Sequence, residues 1–213
     1  MAFRATFNGN GFATANNTGI FVYPAGGNGT LLARTGVANP DGRVFQTISS
    51  PVLNGAGELA FTGTLKAGIG GVSSSNATGI WIVSPEGVLS TVARAGDLAL
   101  GLSGAKFASF NQIVLPDEAG IAFIAKLATG TGGVTTSNNT GLWAAPVPGE
   151  QPALVIRVGD SFSVGGVAKT VSTIGVFSSS TNTAGAGRSF NAFGDLILKL
   201  TLTDKSSGLF TYP

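Results

Sequence analysis

The sequence predicts an all-β fold, a propeller-like array of four-stranded antiparallel units. Three observations lead there. Short apolar segments alternate with period two, as half-buried strands do. Glycine, at 33 of 213 residues, is more than twice the usual share of about 7%, which suits many tight turns. Several landmarks also return at near-constant spacing, the signature of a repeat architecture.

The clearest landmark is Thr-Gly-Ile-Phe at Thr18 to Phe21. It recurs as Thr78 to Trp81, Thr140 to Trp143 and Ser207 to Phe210, with the glycines 60, 62 and 67 residues apart. A second, Arg-x-Gly, begins at Arg34, Arg94 and Arg157 with spacings of 60 and 63. These place units at 1–58, 59–120 and 121–195, with half a unit at 196–213, all in a single repeat domain. A β-trefoil-like fold, three four-stranded units, is the alternative, and the extra half unit speaks against it.

Each unit reads as four strands, about fourteen in the chain. The first is Leu59 to Leu65, with Leu59, Phe61, Gly63 and Leu65 on one face. Its copies carry Phe3/Ala5/Phe7, Phe123/Ala125/Leu127 and Leu198/Leu200/Leu202, with Arg4, Lys126 and Lys199 opposite. The second, Ile80 to Val83, is apolar on both faces, which predicts burial between layers. Ser84-Pro85-Glu86-Gly87 then has reverse-turn chemistry and leads into the third strand, Val88 to Arg94. The fourth carries Phe107 and Phe110, matched by Phe45 and Ile48 and by Val171 and Ile174. Asn54 to Gly57, Asp117 to Gly120 and Asn191 to Gly194 follow as short hairpin loops ending in a left-handed glycine. Longer loops complete the unit: a glycine-rich one at Lys66 to Gly79, and one from Asp97 to Ala105. The Ser178 to Ser189 insertion of the third unit predicts a mobile surface loop.

Composition narrows the function. Only 10% of residues are charged and the net charge is +2, with mean hydropathy +0.35. The twelve Lys and Arg are scattered, so no nucleic-acid footprint is expected. With no Cys and no His, disulfides, thiolate chemistry and Cys/His metal sites are excluded. No stretch has the ~20 apolar residues of a membrane helix, and strands of about six residues fall short of the ~9–11 a membrane barrel needs. No signal peptide opens the chain.

The combination Asn54 through Phe61, Gly79 to Trp81 and Val92 to Asp97 resembles a family of secreted or surface bacterial repeat proteins of unknown function. That resemblance, which runs along the whole chain, implies a β-propeller-like fold and an extracellular or cell-surface location. Its members often carry a leader and an anchor, neither of which is expected in this stretch, and more units than are read here. The family has no established catalytic residues, so none are carried over.

Four kinds of residue could carry chemistry. Arg94 with Asp97 and Arg157 with Asp160 form a repeated Arg-x-Gly-Asp element. An arginine there could bind an acidic ligand, although a local pair, or a bond to loop carbonyls serving the repeat itself, is favoured. Trp81 and Trp143 could stack on a glycan; their doubly apolar strands favour a core role. The glycine-rich loops Gly68 to Gly71 and Gly130 to Gly133 lack the Lys-Ser/Thr and helix of a phosphate cradle. Asn16, Asn28, Asn76 and Asn138 sit in Asn-x-Ser/Thr, which a eukaryotic secreted protein would use as glycosylation acceptors; for the three that precede Thr-Gly, a turn role explains the recurrence more simply. No catalytic residue, metal ligand or cofactor is expected, and Asp117-Glu118 is the sole adjacent acid pair. The reading is a non-catalytic structural or interaction module that self-associates into a ring or fibre. Its partners are homo-oligomeric copies, or a protein or glycan. A lectin-like propeller and an enzyme joining Asp97 to Asp160 are the rivals.

Overall fold

Alternating side chains and glycine-closed turns give strands throughout the computed structural model, which describes residues 1–23, 26–117, 119–177, 189–190 and 195–212. Among these residues there are sixteen strands and no helix. The chain is all-β, in four antiparallel sheets.

Sheet 1 holds β1 (Ala2–Thr6), β2 (Thr18–Val22) and β3 (Thr30–Arg34) in that order. Sheet 2 draws on β4 (Phe45–Ile48), β5 (Val52–Leu53), β6 (Leu59–Leu65), β7 (Thr78–Val83) and β8 (Leu89–Arg94), ordered β4-β6-β7-β8 with β5 also on β6. Sheet 3 is β9 (Phe107–Val114), β10 (Ala122–Leu127), β11 (Thr140–Ala144) and β12 (Ala153–Arg157). Sheet 4 is β13 (Ser161–Val164), β14 (Val167–Val176), β15 (Leu196–Leu202) and β16 (Ser207–Tyr212).

Two strands exceed the fourteen expected. The fourth strand of the first unit is interrupted at Pro51, which has no N–H to give a ladder. Just before the break, the Ser49 hydroxyl accepts the Thr62 N–H at 3.0 Å. The extra strand β13 lies where a loop was expected, folded onto β14 through Gly165-Gly166.

The sheets are offset from the sequence units by one strand. The fourth strand of a unit pairs with the first strand of the next: Phe45 with Leu65 and Ile48 with Gly63, Phe107 with Leu127 and Phe110 with Ala125, Val171 with Leu202 and Ile174 with Leu200. A register shift interrupts each of these ladders. The extra residue of a bulge lets two apolar residues three apart face the same side.

Contacts divide the chain into two compact units, Met1–Asp97 and Leu98–Pro213. In the first, Ile20 and Ala33 of sheet 1 pack with Phe45, Leu59, Phe61 and Trp81 of sheet 2. In the second, Ile124, Leu142 and Ile156 of sheet 3 pack with Val171, Leu198 and Leu200 of sheet 4. Each unit thus has its own apolar core.

The aromatic positions build the same figure twice. Phe45 meets Trp81 edge-on at 4.8 Å while Phe61 stacks on it at 6.1 Å. Phe107 meets Trp143 edge-on at 4.9 Å while Phe123 stacks at 6.2 Å. Burial of such rings is worth about 1.5–3 kcal/mol each. The landmark glycines explain themselves here. They lie inside β7 and β11 rather than in a turn, and a Cβ on Gly79 or Gly141 would come within 2.9 or 2.7 Å of the tryptophan two residues on.

The hairpin loops divide. Gly57, at φ 90°, is left-handed as expected, and Asn54 accepts the Glu58 N–H at 2.8 Å. Gly120 is not left-handed; it is glycine because a Cβ would sit 2.5 Å from Ala145 Cβ and from the Val147 carbonyl. Asn191 to Gly194 and residues 178–188 of the insertion lie outside the described residues. Ser189 is fully buried, and its hydroxyl donates to the Phe177 carbonyl at 2.8 Å.

Candidate functional site

The candidate residues meet where the glycine-rich loop returns to the sheet beside the Arg-x-Gly turn. Short polar side chains in such loops bond their own backbone in preference to solvent. Asn76 does so twice: its Oδ1 accepts the Ser73 N–H at 2.7 Å and its Nδ2 donates to the Gly71 carbonyl at 3.3 Å. Asn16 makes the same pair of bonds to Ala13 and Gly11, and Asn138 to Thr135 and Gly133. The amides of these loops are turned inward as well. Gly68 N–H donates to the Val72 carbonyl at 2.8 Å and Gly130 N–H to the Val134 carbonyl at 2.9 Å, while both valines are buried. A phosphate cradle needs such amides free and converging.

The arginines clamp the loop from the sheet side. Arg94 Nη2 donates to the Asn76 carbonyl at 2.6 Å, and Arg34 Nε to the Asn16 carbonyl at 2.8 Å. Arg34 also lies over the rings of Phe7 and Phe12, 5.3 and 4.7 Å from their centroids. Arg157 instead holds Asp160, Nε to Oδ1 at 3.7 Å.

The aspartates close their own turns. Asp97 Oδ2 accepts the backbone N–H of Arg94 at 2.8 Å and Asp97 N–H donates back to the Arg94 carbonyl at 3.1 Å. Asp160 repeats both bonds with Arg157 at 2.7 and 3.1 Å. The turn is therefore closed through the arginine backbone, and the two arginine roles that were expected are divided: Arg94 bonds a loop carbonyl, while Arg157 makes the local carboxylate pair. Trp81 and Trp143 are 2% and 0% exposed, and Trp143 Nε1 donates to the Leu100 carbonyl at 3.1 Å. Neither indole offers a face for a sugar; the core role is the one the structure gives them.

One neighbour was not legible in the sequence. Arg43, paired to Asp41 at 2.9 Å, packs over Gly70 of the glycine-rich loop, where a Cβ would lie 3.0 Å from its Cγ. Burial pushes the Arg94 guanidinium below the usual arginine range, the charge of Arg43 adds to that, and Asp97 and Asp41 oppose it. The only sequence signal is that Arg43 stands where the next unit has Ala105. A second feature is an open apolar groove of about 450 Å³ between Leu31, Val37 and Pro40 on one side and Val88 and Leu89 on the other. Among the described residues, no three His, Cys, Asp or Glu side chains come together in a group able to hold a metal. Glu118 of the adjacent acid pair lies outside them.

A family model, described as a family of unknown function, matches residues 1–212. The chain belongs to that family, DUF7453. No curated protein and no solved structure matches it. Membership therefore brings no assigned residue, and the roles above rest on geometry. That geometry can hold loops in place and present them.

Proposed function

We propose that this member of the family is a non-catalytic structural and interaction module, a propeller-like array of four-stranded units. In this reading it works at a bacterial surface or in the extracellular space and self-associates into a larger ring or fibre. One observation carries it. The polar side chains recurring in the sequence are consumed by the loops and turns next to them: Asn16, Asn76 and Asn138 by their own loops, Arg34 and Arg94 by loop carbonyls, Asp97 and Asp160 by their own turns. Groups serving every unit in the same way serve the array.

Self-association draws support from the surface. With 10% charged residues, little electrostatic repulsion keeps copies apart, and large apolar side chains such as Val88, Leu98 and Leu209 are 60–63% exposed. The location rests on the resemblance set out above. Partner binding falls to the glycine-rich loop tips, because loops on a rigid scaffold commonly carry it. Sedimentation velocity over a wide concentration range tests this reading. Growing assemblies are expected; compact monomers at every concentration would sink it.

A further inference from the structure

The first unit departs from its copies at the Arg-x-Gly turn. In the second and third units a carboxylate caps the arginine N–H: Asp97 Oδ2 on Arg94 at 2.8 Å and Asp160 Oδ2 on Arg157 at 2.7 Å. The matching residue of the first unit is Val37, whose side chain has no acceptor to offer. The return bond, from the aspartate N–H to the arginine carbonyl, has no counterpart between Val37 and Arg34 either.

Backbone parity fixes where the Arg34 N–H points. Thr35 N–H donates to the Thr18 carbonyl at 2.9 Å, as Ala95 does to Thr78 and Val158 to Thr140. Successive residues of a strand alternate in direction, so the Arg34 N–H faces away from β2. In the copies this outward N–H is the one the aspartate takes. Among the described residues nothing takes it here, and Arg34 makes no ion pair among them.

That turn opens on the apolar groove of about 450 Å³, which Arg34 and Val37 line together with Leu31, Pro40 and Val88. A volume of this size falls in the range of small-molecule sites, about 300–1,000 Å³. Leu31, Val37 and Val88 are 43%, 46% and 60% exposed, so an apolar body seated there removes unfavourable surface from water. Asn39 lines the groove as well, and its Nδ2 is buried with no partner among the described residues. Apolar walls thus stand beside donors that lack acceptors.

The internal copies identify the acceptor that fits. A carboxylate caps the equivalent N–H in both, and in the third unit it also lies 3.7 Å from the arginine Nε. A charged acceptor of this kind makes the stronger hydrogen bond. The neighbouring acids are engaged elsewhere: Asp41 with Arg43 at 2.9 Å, and Glu86, beyond the Val88 wall, with Ser84 at 2.7 Å. An extended peptide adding to β3 fits less well. The outer edge of that strand is followed at once by the Thr35–Phe45 bridge, where Gly36 N–H donates to the Phe45 carbonyl at 2.9 Å.

We propose that this groove binds a small aliphatic monocarboxylate. Its head group accepts the Arg34 N–H in place of the aspartate of the other units, and its chain lies along Leu31, Val37 and Val88. The site is separate from the self-association and the loop tips put forward above, and it needs neither.

The test is a titration of the full chain with octanoate, beside octanol and acetate, each of which carries half of the chemistry. Calorimetry gives the affinity, and heteronuclear NMR follows the Arg34 amide. Two variants accompany the ligands. Val37→Asp supplies the aspartate of the other units at an exposed position, and Val88→Ser thins the apolar wall. The expected result is saturable binding of octanoate with a downfield shift of the Arg34 amide, and binding of octanol and acetate at least about tenfold weaker. Val37→Asp should shift the Arg34 amide by itself, raise Tm, and weaken octanoate at least about tenfold; Val88→Ser should weaken it less. The ligand series on the unaltered chain decides the matter should a variant fail to fold. No binding of octanoate, an Arg34 amide it leaves unmoved, octanol bound as tightly, or full affinity in folded Val37→Asp overturns the proposal. Tighter binding of a short apolar peptide with an amidated C-terminus would overturn it too, and assign the groove to strand addition.

Discussion

Gly132 and Gly133 are neighbours in one glycine-rich loop, and replacing each by alanine separates two reasons for being glycine. Both are left-handed, at φ 56° and 70°, so either alanine carries the penalty of that conformation, about 1–2 kcal/mol. Around Gly133 a Cβ would meet nothing within 4 Å, and the penalty ends there. At Gly132 a Cβ would lie 2.3 Å from Ala105 N and 2.6 Å from the Ser103 carbonyl. These are backbone atoms, which cannot swing aside as a side chain does. Overpacking of this kind adds about 1–3 kcal/mol. The expected totals are about 1–2 kcal/mol for Gly133→Ala and ~2–5 kcal/mol for Gly132→Ala. In a chain of this size 1 kcal/mol moves Tm by about 2–4 °C. Thermal and urea melts followed by Trp143 fluorescence, in a Trp81→Phe background, report on the unit that contains both glycines. Equal destabilisation of the two variants would refute the reasoning, because only close backbone approach distinguishes them.

Asn138→Ala removes both bonds that fix its loop and is expected to cost about 1–2 kcal/mol, with faster amide exchange at Thr135 as the local readout. Asp204 is held well below the usual carboxylate range, first by its bond to Lys169 and then by Ser206. Because its folded pKa is lowered, its contribution to stability is in place above the ordinary carboxylate pKa of about 4. It is lost as pH falls toward the lowered value. Lys169→Ala should therefore raise the Asp204 midpoint toward the ordinary range in a carboxyl NMR titration; an unmoved midpoint would show that Lys169 is not the cause.

Much of the fold could be read from local pattern. Period-two alternation marked β6, β10 and β15 because one face of each strand must be apolar wherever a layer packs on it. Doubly apolar β7 and β11 announced their burial, and Asn76 and Asn138 announced loop closure because a short amide reaches its own backbone. Pairing was less legible. Phe45 and Ile48 look the same whether their strand joins its own unit or the next, since partner choice depends on distant backbone. Gly120 and Gly57 look alike too, yet one is set by crowding and the other by φ.

The candidate site divides along the same line. The recurrence of Arg94, Asp97, Trp81 and their copies was legible in the sequence, and recurrence alone favoured service to the array. Only the tertiary structure decided how each residue serves. Asp97 bonds a backbone N–H rather than a guanidinium, Trp143 turns its Nε1 to a carbonyl 43 residues away, and Arg43 comes beside Arg94 from a distant segment. Local spacing determines which residues share a face, because that follows from strand and turn geometry. Which atoms touch depends on strand order and on the space left between side chains. Those belong to the folded chain as a whole, and they made Leu209 an exposed residue while its three copies lie buried.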